Sequence, residues 1–62
     1  MMEVCYTYKI RVLKPDKSTT DETMKVNEQN TRFGEAMAVG KVARYYETLR
    51  EEKKILDYKI LY

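Results

Sequence analysis

From Met2 to Val12 the even positions read Met, Val, Tyr, Tyr, Ile, Val and the odd positions Glu, Cys, Thr, Lys, Arg. Only a β-strand puts residues two apart on one face, so a sustained apolar and polar alternation predicts a strand buried on one side and open on the other. The tyrosines, valines and isoleucine are also residue types that fit a pleated surface. Whatever else the chain folds into must cover the even face of this strand.

The alternation stops at Leu13-Lys14-Pro15-Asp16-Lys17-Ser18. Pro15 presets φ for the second position of a type I turn, and Asp16 and Ser18 have side chains that bond nearby backbone, which predicts a hairpin loop. Thr19 to Val26 alternates again, with Met24 and Val26 on one face, and reads as a second strand whose threonines and charges suit a sheet edge. Asn27 to Asn30 is polar and turn-like, and Asn30 or Thr31 is positioned to cap a helix. From Arg32 to about Lys54 the period lengthens: Val39, Val42, Ala43, Tyr46 and Leu49 make a stripe that Ala36 continues backwards. Ile55 to Tyr62 alternates once more, with Leu56, Tyr58, Ile60 and Tyr62 on one face and Ile55, Asp57, Lys59 and Leu61 on the other.

Strand, strand, helix, strand in that order predicts an α+β fold. A right-handed crossover between the second and third strands leaves a gap one strand wide, which the first strand fills antiparallel to both. The expectation is a three-stranded antiparallel sheet of order 2-1-3 with one long helix packed on one face, forming a single small domain over residues 1–62. Its core should hold Val4, Tyr6, Tyr8, Ile10, Val12, Met24, Val26, Val39, Val42, Ala43, Tyr46, Leu49, Leu56, Tyr58 and Ile60.

A chain of 62 residues buries only about 60% of its unfolded surface, so it needs reinforcement from outside its own core. One cysteine and no histidine rule out an internal disulfide and argue against a zinc site, which leaves self-association. At 44% hydrophobic and 35% charged the chain is too apolar to be a disordered tail. No apolar run reaches the ~18 residues of a membrane helix, and the unpaired thiol suits a reducing cytoplasm.

The composition also disfavours catalysis. Histidine, the usual acid and base near neutrality, is absent. Glu51 and Glu52 are neighbours in sequence yet point about 100° apart on a helix, so they form no dyad. Cys5 lacks a histidine partner and reads as a small structural residue, and Gly34 and Gly40 belong to no phosphate loop. No catalytic residue, cofactor or metal is expected.

Two interaction readings remain. The first is a small non-enzymatic interaction or regulatory domain that acts through protein contacts and self-associates. Its candidate surface is Ile55 and Leu61 on the third strand with Cys5 and Leu13 beside them, plus Phe33 and Met37 flanking Gly40 on the helix. Two copies would either join their third strands into one sheet or pack their open sheet faces together. The alternative is a weak nucleic-acid-binding module using Lys9, Arg11, Lys25 and Lys59 on the face away from the helix. A net charge of +2 and tyrosines confined to the covered face count against it.

Overall fold

The first alternation pairs with the second because the loop between them is tied locally. Lys17 N–H donates to the Lys14 carbonyl at 2.8 Å, the bond expected of a turn with Pro15 in second place. Lys17 then adopts a φ of 70°, the left-handed residue that follows such a turn in hairpins with three-residue loops. Asp16 accepts the Ser18 hydroxyl at 2.6 Å and the Ser18 N–H at 2.9 Å. These bonds hold its carboxyl below the usual range.

The computed structural model describes residues 2–62. It contains β1 (Glu3–Leu13), β2 (Thr19–Gln29), α1 (Gly34–Glu51) and β3 (Asp57–Leu61). The sheet order is β2-β1-β3 with β1 antiparallel to both neighbours, the α+β arrangement the sequence predicts. Strands of 11 residues at about 3.4 Å each make the hairpin long. The radius of gyration is accordingly 12.8 Å, where a compact chain of this length has about 10.6 Å.

The helix covers the even face of β1. Tyr8, Ile10, Val12, Ala38, Val42, Tyr46 and Ile55 are buried, and Tyr6, Met24, Val26, Val39, Leu49, Tyr58 and Ile60 pack around them. Burying side chains of this size removes about 1.5–3 kcal/mol worth of apolar surface each from water, and this is what holds helix to sheet. Two polar ties reinforce the packing. The Tyr46 hydroxyl donates to Glu22 Oε1 at 2.8 Å, and the Tyr58 hydroxyl donates to Glu47 Oε2 at 3.0 Å. Burial first, and the carboxylate second, push both phenols above their ordinary pKa.

Val42 and Tyr46 of the expected stripe face the sheet with Val39 and Leu49 packed beside them, but the stripe runs back through Ala38 and Gly34, and Ala36 faces solvent. Gly34 allows the helix start to lie close. A Cβ there would overlap the Gln29 carbonyl oxygen and lie 3.3 Å from the Tyr6 hydroxyl, so the helix start comes this close to the sheet only without a side chain. At Gly40, by contrast, a Cβ would meet nothing within 4 Å. Close helix-to-sheet packing therefore does not explain Gly40.

Element ends also depart from expectation. β2 runs on through Asn27 to Gln29, because Glu28 follows Met24 and Val26 onto the covered face and is neutralised there by Lys41 Nζ at 2.6 Å. The Lys41 bond holds the Glu28 carboxyl below the usual range, against the burial that pushes it up. Thr31 does use its side chain, but to accept Phe33 N–H at 3.3 Å ahead of the helix, and no side chain caps the helix itself. At the far end Lys53 N–H donates to the Arg50 carbonyl and Lys54 N–H to the Leu49 carbonyl, both at 3.0 Å, with Lys53 at φ 62°. This pair of bonds is a Schellman closure with lysine where glycine is usual. It reverses the chain three residues early and drops Ile55 into the core.

Candidate functional site

Ile55 does not belong to the candidate surface. The residue precedes β3 rather than belonging to it and is only 7% exposed, whereas Leu56, expected in the core, is 46% exposed. Leu56 N–H donates to the Leu13 carbonyl at 2.8 Å, so the chain joins the sheet just after Ile55 has turned inward. Ile55 therefore cannot form the open-face patch with Leu61, Cys5 and Leu13. Of the other three, Cys5 is exposed opposite Asn27, while Leu61 opposite Lys9 and Leu13 opposite Asp57 are half-buried. Cys5 is four register positions from Lys9 and eight from Leu13, so no continuous apolar patch joins them.

The four basic candidates do share the open face. Lys25 lies opposite Thr7, Lys9 opposite Thr23, and Arg11 opposite both Asp21 and Lys59. Arg11 Nε is 3.0 Å from Asp21 Oδ1, and its other nitrogen reaches Oδ2 at 3.3 Å, so its charge is already engaged in a fork. That fork holds Asp21 below the usual carboxylate range. Arg11, Leu13, Thr19, Asp57, Tyr58 and Lys59 line a shallow groove of about 220 Å³ there. Tyr58 borders this groove, but its ring stacks on Tyr46 at 5.8 Å between centres, and Tyr6 and Tyr8 likewise pack on the covered side.

On the helix, Phe33 and Met37 are 61% and 51% exposed, and Gly40 lies bare one turn further on. The Arg32 guanidinium sits 5.2 Å from the centre of the Phe33 ring. Phe33 and Met37 are left to solvent, outside the buried core.

The feature that sequence reasoning missed is an edge inside the sheet. β2 accompanies β1 from Glu3 to Leu13, but β3 accompanies it only from Lys9 to Leu13. Hydrogen-bond direction alternates along β1. The Met2 carbonyl accepts Asn30 N–H and Lys14 N–H donates to Ser18, so even residues point toward β2, while the Leu13 carbonyl accepts from Leu56 on the β3 side. The N–H and C=O of Glu3, Cys5 and Thr7 consequently face a lane that no strand occupies among the described residues. Half-buried Val4 and Tyr6 lie beside this lane on the covered face. The only signal in the sequence was the inequality of the flanking strands, hidden because residues 55, 56 and 62 all fit the alternation of the third.

Among the described residues no group of three or more cysteine, aspartate or glutamate side chains could hold a metal ion, and no helix is long and apolar enough to cross a membrane. Comparison of the chain with protein-family models, with curated proteins and with solved structures gave no match in any of the three.

Proposed function

We propose that this protein is a small non-enzymatic interaction module that works through protein contacts and self-associates. The observation that carries this reading is the incomplete sheet: among the described residues, six of the eleven of β1, Glu3 to Tyr8, have a neighbour strand on one side only. Unpaired strand edges next to apolar side chains recruit further strands, and a chain of this size gains proportionally more from doing so than a larger one. Phe33, Met37 and Gly40 offer a second, helical contact surface of the kind that packs against another helix. The exposed Cys5 thiol suits a reducing compartment such as the cytoplasm.

Sedimentation equilibrium of the native chain across the micromolar range tests the reading. A dimer that forms in that range is expected, and a chain that stays monomeric at high micromolar concentration would remove self-association.

Weak nucleic-acid binding keeps one observation in its favour, the meeting of Lys9, Arg11, Lys25 and Lys59 on one open face. The Asp21 fork and the lack of a stacking ring there weigh against it. Retention on DNA or RNA that falls steeply with salt and is lost on reversing Lys9 and Arg11 to glutamate would restore it.

A further inference from the structure

We infer that a second copy of this chain fills the vacant lane beside β1, the two β1 strands pairing antiparallel with Cys5 on the twofold axis. This rests on the self-association proposed above and says where and in what register it occurs.

Three residues present backbone to the lane, Glu3, Cys5 and Thr7, and they are spaced evenly about Cys5. An antiparallel partner related by a twofold axis can therefore place Cys5 opposite Cys5, Glu3 opposite Thr7 and Thr7 opposite Glu3. In that register each of these residues exchanges both N–H···O bonds with its counterpart, so every unpaired group of the lane is satisfied at once. Shifting the register by one step in either direction leaves some of them bare or runs into the stretch from Lys9 onward that β3 already holds.

The side chains agree with this register. On the covered face Val4 meets Tyr6 of the second copy and Tyr6 meets its Val4, so two half-buried apolar pairs close over each other. On the open face Glu3 meets threonine, and no like charges stand opposite. The outer edge of β3 does worse. Its free backbone belongs to Tyr58 and Ile60, because the odd residues of β3 pair with β1. The register that satisfies all of it stacks Lys59 on Lys59. The outer edge of β2 carries Asp21, Thr23, Lys25 and Asn27, polar residues that blunt an edge, and the Gln29 carbonyl there already accepts Thr31 N–H at 2.8 Å.

The helices leave room. Each starts over the end of β2, where Gly34 touches Gln29, rather than over the vacant lane. Across the joined sheet the two β2 strands lie three strand spacings apart, about 14 Å, and packed helices need only about 8–10 Å. Tyr62 and Met2, which meet where the lanes abut, are 89% and 76% exposed and free to turn outward.

The test combines sedimentation of the Thr7→Pro variant with hydrogen exchange of the unsubstituted chain. Proline at position 7 removes a donor that the monomer does not use, so the strand should keep its far-ultraviolet circular dichroism while dimerisation weakens at least about tenfold. A native dimer that Thr7→Pro leaves as tight as before would overturn this interface while leaving self-association intact. A chain that stays monomeric at high micromolar concentration would overturn both, leaving the lane to a strand of a different protein. Exchange measured across the same concentrations decides even if the variant fails to fold. The amides of Glu3, Cys5 and Thr7 should pass from unprotected to protected as the dimer forms, whereas those of Val4 and Tyr6, bonded to β2, should be protected in the monomer already. A dimer in which those three amides still exchange freely would reject the proposed register.

Discussion

The two halves of β1 have the same sequence pattern and different surroundings. From Lys9 to Leu13 the strand is flanked on both sides and covered by the helix, and Ile10 and Val12 are 0% and 2% exposed. From Glu3 to Tyr8 it is flanked on one side only among the described residues, and on the same face Val4 and Tyr6 remain half-buried, with Tyr8 at the boundary already 7% exposed. The difference lies in the neighbours, not in the strand: Ile10 and Val12 are opposite Ile60 and Tyr58, whereas Val4 is opposite Glu28 on one side and no described residue on the other. An amphipathic strand thus states which face it buries, while the depth of that burial is decided by elements far away in sequence.

The largest expected effect follows directly. Ile10→Ala should cost about 2–5 kcal/mol, because it opens a cavity in the fully packed half, while Val4→Ala should cost about 1 kcal/mol or less in the monomer. Urea titration of both variants at low micromolar concentration measures the contrast. Equal losses would mean that the N-terminal half is as tightly packed as the other, and the comparison would fail.

This contrast marks the limit of what could be read from the chain. The covered face followed from periodicity, because Met2 to Val12 admits one reading, and the strand order and antiparallel sense followed from the right-handed crossover that the order of elements imposes. Pro15 and Asp16 likewise announced their turn, since both act through local bonds. What stayed hidden depended on contacts between distant segments. Glu28 looked like a turn residue because its partner Lys41 lies on the helix, and Ile55 looked like an open-face strand residue because Lys53, a lysine, takes a conformation that normally advertises itself as glycine. Of the proposed contact residues, Phe33 and Met37 were legible as residues off the helical stripe. The vacant lane was not, because a strand's length cannot be separated from its register until it is paired.

A second, smaller effect separates the halves by pH. The weaker half carries the ion pair of buried Glu28 with exposed Lys41, and the Lys41 bond holds the Glu28 carboxyl below its unfolded value. A group depressed in the folded state binds its proton more readily when unfolded. Its stabilisation is therefore complete above the ordinary carboxylate range and is lost as pH falls through the folded value. Lys41→Met keeps the apolar stem and removes the charge, so it should lower the urea midpoint more at about pH 7 than at an acid pH below the folded value of Glu28, where the carboxyl is protonated in both proteins. A loss of the same size at both pH values would assign the role of Lys41 to packing of its stem.

The smallest effect belongs to the tighter half and concerns how it is closed. Lys53 at φ 62° pays a backbone cost that glycine avoids, about 1 kcal/mol for a residue with a Cβ in the left-handed region. The bonds from Lys53 to Arg50 and from Lys54 to Leu49 depend on that conformation, and Ile55 reaches the core only because the chain reverses there. Glycine at position 53 relieves the strain but also loosens the unfolded chain, so the gain is reduced. Lys53→Gly should still stabilise the protein by about 0.5 kcal/mol, seen as a higher urea midpoint at unchanged slope. Lys53→Val, which adds a branched Cβ in the same conformation, should act in the opposite direction and by more. If both substitutions left the midpoint where it was, the Schellman closure would not be what turns Ile55 inward, and the packing of this half would have to be traced to β3 alone.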